Sequence, residues 1–92
     1  MNQPVIHQLT DSLTELSGQA DRLIDQYFSE TSYTKEGRPL ADVMLETAAA
    51  LDYYAAQLAG LGDYVEFIEP KKFQSRRLRW LAQLKGAINE VA

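Results

Sequence analysis

Ile6, Leu9, Leu13, Leu16, Ala20, Leu23 and Tyr27 follow one another at intervals of 3, 4, 3, 4, 3 and 4 residues. A strand cannot use that spacing, because its side chains alternate every second residue. On a helix it sets seven side chains along one narrow stripe, three heptads long. Such a stripe is stable only when covered, so a chain carrying it is committed to packing helix against helix. Val5, Ile24 and Phe28 widen the stripe at its ends, and Pro4 suits a first helical turn, where its missing N–H costs nothing. Gly18 lies off the stripe in mid-helix, where it costs about 1 kcal/mol relative to Ala. The narrow seam also fits burial against a second copy, so a homodimer is one expectation.

The polar stretch 29–39, punctuated by Gly37 and Pro39, reads as a connecting loop. Pro39 then opens a second helix, whose face carries Leu40, Val43, Met44, Thr47, Ala48, Leu51, Tyr54, Ala55 and Leu58. Its many alanines allow a neighbouring helix to come close. Gly60 and Gly62 follow the last periodic residue, as a left-handed C-terminal cap would require. Asp63 and Glu66 have the spacing of a capping box, which predicts a short extra helical turn at 63–69. A third helix is predicted from about Pro70 onward, with Phe73, Trp80, Leu81, Leu84, Ala87, Ile88 and Val91 on its apolar arc. The expected fold is all-α: a small bundle of three main antiparallel helices in one domain, 1–92.

Charge divides the chain unevenly. Residues 1–70 hold three basic side chains against twelve acidic ones, and residues 71–92 hold six basic against one acidic. Net charges of −9 and +5 thus lie behind the overall −4. The basic residues sit in KKFQSRRLRWLAQLK, from Lys71 to Lys85. At about 100° per residue, Lys72, Arg76, Arg79 and Gln83 form one stripe. Arg77 falls inside the apolar arc, where a guanidinium needs a carboxylate close by; Asp21, Asp25, Asp42 and Glu46 are the internal candidates. Leu78 falls outside the arc, between the basic groups, and Trp80 falls on the core side. The expected partner-binding set is therefore Lys72, Arg76, Arg77, Leu78, Arg79 and Gln83.

A mixed basic and apolar face suits an acidic protein surface, and the chain reads as an adaptor, regulator or inhibitor that acts by binding. Nucleic acid is the alternative, since a basic helix with an aromatic could track a phosphate backbone. The −9 on residues 1–70 weighs against it, and no helix-turn-helix or RNA-binding aromatic motif is present.

The remaining chemistry is sparse. The chain has no Cys and one His. His7 and Asp11 are four apart, a spacing two metal ligands can share, but they read as part of a solvated polar face. Tyr53 and Tyr54 beside Asp52 point to different sides of their helix, so they form no catalytic pair. Without a nucleophile motif or a Gly-rich phosphate loop, no enzyme activity, cofactor or metal is expected. No apolar run reaches the roughly 18 residues of a membrane span, and the N-terminal residues lack a signal-peptide pattern. A cytoplasmic setting, in which Cys is dispensable, is the expectation. Leu45, Tyr33, Tyr53 and Tyr64 are predicted at or near the surface.

Overall fold

The computed structural model describes the backbone of residues 3–29 and 31–91 and the side chains of residues 5–29 and 31–86. Three helices account for most of it: α1 (Gln3–Phe28), α2 (Leu40–Ala59) and α3 (Val65–Val91). They run up, down and up, so α2 is antiparallel to both neighbours. Polar contacts fix the register: Ser17 meets Gln74 on α3, and Gln19 meets Thr47 on α2. The molecule is elongated, 52 × 22 × 16 Å. Its longest dimension exceeds any one helix, since 27 residues span about 40 Å. The helices are therefore staggered along the bundle.

The seam on α1 is buried within the monomer. Leu13, Ala20, Leu23 and Ile24 are in the core, and Ile6, Leu9, Leu16 and Tyr27 are partly buried against it. With its centre so occupied, the seam offers little to a second copy. The core of α2 is Leu40, Met44, Ala48, Leu51, Ala55 and Leu58, with Thr47 beside them. α2 packs most closely on α3, next on α1, while α1 and α3 touch least.

The connection between α1 and α2 is a miniature hairpin. Thr34 and Arg38 pair through the Thr34 N–H to the Arg38 carbonyl at 2.8 Å, and Gly37 donates to the Thr34 carbonyl at 3.0 Å. Gly37 has φ +82°, the left-handed conformation that three-residue hairpin loops require. Tyr33 and Pro39 form an isolated antiparallel bridge. Arg38 anchors the loop to α2 through Glu46, at 2.8 and 2.9 Å. The hydrogen bond from Arg38 holds the Glu46 carboxyl below its ordinary value and raises Arg38 above its own.

Two terminus expectations are corrected. Gly60 is right-handed, at φ −68° and ψ −16°, so it is no left-handed cap. α2 instead ends by tightening, with the Leu61 N–H reaching the Leu58 carbonyl three residues back. The turn at 63–69 is also not separate from the third helix; it is the first part of α3, which begins at Val65. Asp63 accepts a long hydrogen bond from the Val65 N–H at 3.4 Å, and Glu66 sits in the first turn, where the helix dipole favours a carboxylate. Pro70 is inside the helix, so the bond its N–H would have made back to Glu66 is missing without breaking the helix.

The largest correction concerns which face of α3 is buried. The core side is Ile68, Ser75, Leu78, Leu81, Ala82 and Lys85. Leu78, expected outside the arc, is 0% exposed, whereas Trp80, expected in the core, is 61% exposed. Phe73 is also outside at 63%, and Leu84 at 38%. The side chains of Ala87, Ile88 and Val91 lie outside the described residues. The reason is steric. α2 presents Ala48 and Ala55, and α3 answers with Ser75 and Ala82, so the two backbones approach closely. The Ser75 hydroxyl donates to the Ala48 carbonyl at 3.2 Å across that contact. Phe73 or Trp80 in the same place would hold the helices apart.

Candidate functional site

Successive outward and inward residues on α3 are two positions apart: Phe73 and Ser75, Trp80 and Leu78, Leu84 and Ala82. Two positions on a helix turn through about 200°, so each pair points in nearly opposite directions. α3 is thus apolar on two opposed sides. One side is packed against α1 and α2. The other carries Phe73 and Trp80, both largely exposed, and Leu84, partly so; the three span 12 residues, about 16 Å of helix.

The six basic residues divide by what they touch. Arg79 bridges to Asp52 on α2 and donates to the Ser75 hydroxyl at 3.1 Å, which places it in the α2–α3 seam. The ammonium of Lys71 lies 4.4 Å from the centre of the Phe67 ring, and that of Lys85 lies 5.2 Å from the Tyr27 ring. Arg79 and Lys85 are thus engaged across the bundle, and Lys71 packs along its own helix. Lys72 is exposed and pairs loosely with Glu69 at 3.8 Å. Arg76 and Arg77 are exposed, and neither forms a salt bridge among the described residues. Arg77 therefore meets none of the internal carboxylates considered for it; it stands in the open beside the bare apolar stripe.

Of the six residues singled out in the sequence, Lys72, Arg76, Arg77 and Gln83 share the exposed side of α3. Leu78 is core and presents no surface to a partner. Arg79 lines a shallow groove between α2 and α3 with Asp52, Ala56, Ala59, Lys72 and Arg76, and its charge is already matched. Phe73, Trp80 and Leu84 were missed as surface residues. The clue available for them was Arg77 itself, since an arc that contains an unpaired guanidinium is better suited to solvent than to a core.

Elsewhere the surface is less suggestive. Leu45 and Tyr53 are exposed on α2, and Tyr33 on the loop, while Tyr64 is half-buried. The α1–α3 contact is a polar clamp: the Ser17 hydroxyl donates to Gln74 Oε1 at 2.7 Å, and Gln74 Nε2 donates to the Ser17 carbonyl and Asp21 Oδ1. Among the described residues no three His, Cys, Asp or Glu side chains gather as metal ligands, and no helix is long and apolar enough to cross a membrane. Compared with protein-family models, curated proteins and solved structures, the chain matches none.

Proposed function

We propose that the protein is a small non-catalytic binding module, an adaptor, regulator or inhibitor in a cytoplasmic setting, that engages a macromolecular partner through α3. The observation that carries this reading is the bare stripe Phe73, Trp80 and Leu84, flanked by Arg76 and Arg77 with no salt bridge among the described residues. A helix apolar on both sides is normally covered on both sides. Exposed Trp and Arg together are the residue types that most often dominate binding energy at protein interfaces. The contact set is Lys72, Phe73, Arg76, Arg77, Trp80, Gln83 and Leu84, with Leu78 and Arg79 serving the bundle.

The test is site-specific photocrosslinking in cells. A photoreactive side chain in place of Trp80 should capture a discrete protein, and the same group at Glu15 on α1 should not. Capture should fall sharply in Arg76→Glu/Arg77→Glu. Equal capture at both positions, or none at Trp80, overturns the reading.

One observation favours a second reading. An exposed Trp80 next to two arginines could stack on the bases of a single strand, where each base is worth about 1–3 kcal/mol. Retention on heparin or single-stranded DNA that disappears at moderate salt would support nucleic acid over protein.

A further inference from the structure

The bare face of α3 has a shape and a charge, and together they specify an occupant more narrowly than "a protein". Phe73, Trp80 and Leu84 are spaced 7 and 4, the interval at which one helix meets another along a seam. The stripe runs straight for three turns. Helix-in-groove partners read out as anchors at such spacings.

Charge then selects among helices. Between residues 71 and 86 there are six basic side chains and no acidic one. Arg79 is paired with Asp52, Lys85 is buried beside Tyr27 and Lys71 lies against Phe67 on the far side of α3, which leaves Lys72, Arg76 and Arg77 along the stripe. A second α3 cannot match them. The register that lays Phe73, Trp80 and Leu84 of two copies against each other brings both copies' Arg76 and Arg77 into the same two turns, with no carboxylate to offset four guanidinium groups. Like charges so placed disfavour that pairing. An incoming helix with Asp or Glu beside its own apolar stripe supplies what is missing, and Arg suits such carboxylates through its planar fork of donors.

We propose that the outer face of α3 docks an acidic amphipathic helix of another protein, its apolar stripe laid on Phe73, Trp80 and Leu84 and its carboxylates on Arg76 and Arg77. This deepens, and rests on, the binding-module reading above.

The single Trp of the chain is the reporter, because it sits in the middle of the proposed contact. The probe is a synthetic helical peptide with leucines at three- and four-residue spacing flanked by Glu. Its control replaces every Glu by Lys. The Glu peptide should shift Trp80 emission to the blue and shield it from acrylamide, and the Lys peptide should do neither. Arg76→Gln/Arg77→Gln should weaken the Glu peptide roughly 2- to 30-fold, the conversion of two exposed ion pairs. Phe73→Ser and Leu84→Ser should weaken it while circular dichroism shows the bundle intact. The proposal is overturned if the Glu peptide leaves Trp80 unmoved or if both peptides act alike. It is equally overturned if only oligo-dT or phosphatidylserine vesicles shift the emission, or if the protein shifts its own emission on concentration as it dimerises. Crosslinking from position 80 combined with a silent Glu peptide would sink this proposal and leave the binding-module reading standing. Failure of both would end the two together.

Discussion

Alanine substitutions at Leu78 and Trp80 should separate the two sides of α3 by their cost. Leu78 is 0% exposed and packed in the core of the bundle. Removing its isobutyl group loses transfer free energy and leaves a cavity, so Leu78→Ala should cost about 3 kcal/mol, within the range of buried Leu→Ala changes. Trp80 is 61% exposed, so about two-fifths of it is covered. If full burial of such a ring removes about 150–250 Å² from water, the covered part is about 60–100 Å². At about 25 cal/mol per Å² that is roughly 1.5–2.5 kcal/mol. The figure is an upper bound, because a realistic unfolded chain is compact enough to cover part of the ring already. Ala also gains a few tenths of a kcal/mol of helix propensity over Trp. Trp80→Ala should therefore cost about 1 kcal/mol, against about 3–5 for a buried Trp. Urea unfolding followed by circular dichroism at 222 nm measures both, since it does not need the Trp. At a slope of about 1.5 kcal/mol per molar, the midpoint should fall by about 2 M for Leu78→Ala and about 0.7 M for Trp80→Ala. A Trp80→Ala loss equal to or larger than that of Leu78→Ala would place Trp80 in the core. It would remove both the binding face and the docking proposal that depends on it.

Three further outcomes are expected. Gly18→Ala should stabilise by about 1 kcal/mol and raise Tm by about 4–8 °C by calorimetry, because a Cβ there meets only the Arg22 Nη1 atom at 3.7 Å; a lower Tm would mean that the helix needs the glycine. Ser75→Ala should cost less than about 1.5 kcal/mol, because its hydroxyl donates one hydrogen bond, to the Ala48 carbonyl, and the Arg79 guanidinium it accepts from keeps its bridge to Asp52, while Ser75→Leu should cost about 1–3 kcal/mol more by forcing α2 and α3 apart; equal effects in urea titrations would refute the close approach. The Glu46 carboxyl, lowered by the hydrogen bond from Arg38, should titrate by NMR below the ordinary glutamate range and return to it in Arg38→Gln; because its folded value is depressed, the small stabilisation it gives is complete above the unfolded value and lost as pH falls through the folded one, and an unshifted Glu46 in the wild type would mean the loop anchor is absent in solution.

Much of the architecture was legible in the sequence because backbone chemistry announces itself locally. The 3-and-4 spacing from Ile6 to Tyr27 could only be a helix, and Leu13, Ala20 and Leu23 from that series are core. Pro39 marked the start of α2, which opens at Leu40 with Pro39 as its N-cap. The α2 face was nearly complete: Leu40, Met44, Thr47, Ala48, Leu51, Ala55 and Leu58 are all buried. Boundaries were harder, because a cap depends on what the chain does next. Gly60 has the right residue type for a left-handed turn, yet the short link to Val65 leaves in a right-handed one. Pro70 looked like a helix start because proline favours first turns, but one lost hydrogen bond did not outweigh the apolar contact of Ile68 with the core.

The face of α3 was misread for a different reason, and that reason bears on function. A search for apolar residues at helical spacing finds two candidate arcs on this helix, and the more hydrophobic arc, with Phe73, Trp80 and Leu84, is the one left bare. Burial was decided by shape. The alanines of α2 demand small residues opposite, and Ser75 and Ala82, with Leu78 between them, fit where a Trp cannot. Hydrophobicity alone would give Ser75 no place in a core, although its hydroxyl is satisfied there by the Ala48 carbonyl. Once the small-residue face is fixed against α2, the bulky face must point outward, and Arg76 and Arg77 go with it. The residues that folding left unused are thus the large aromatics and guanidinium groups best suited to binding. A chain that needed only to fold could place Lys or Glu at positions 73 and 80 at modest cost to stability, since exposed positions tolerate them. Phe73 and Trp80 keep most of their surface in water in the bundle, and a contact outside it gives that surface a use.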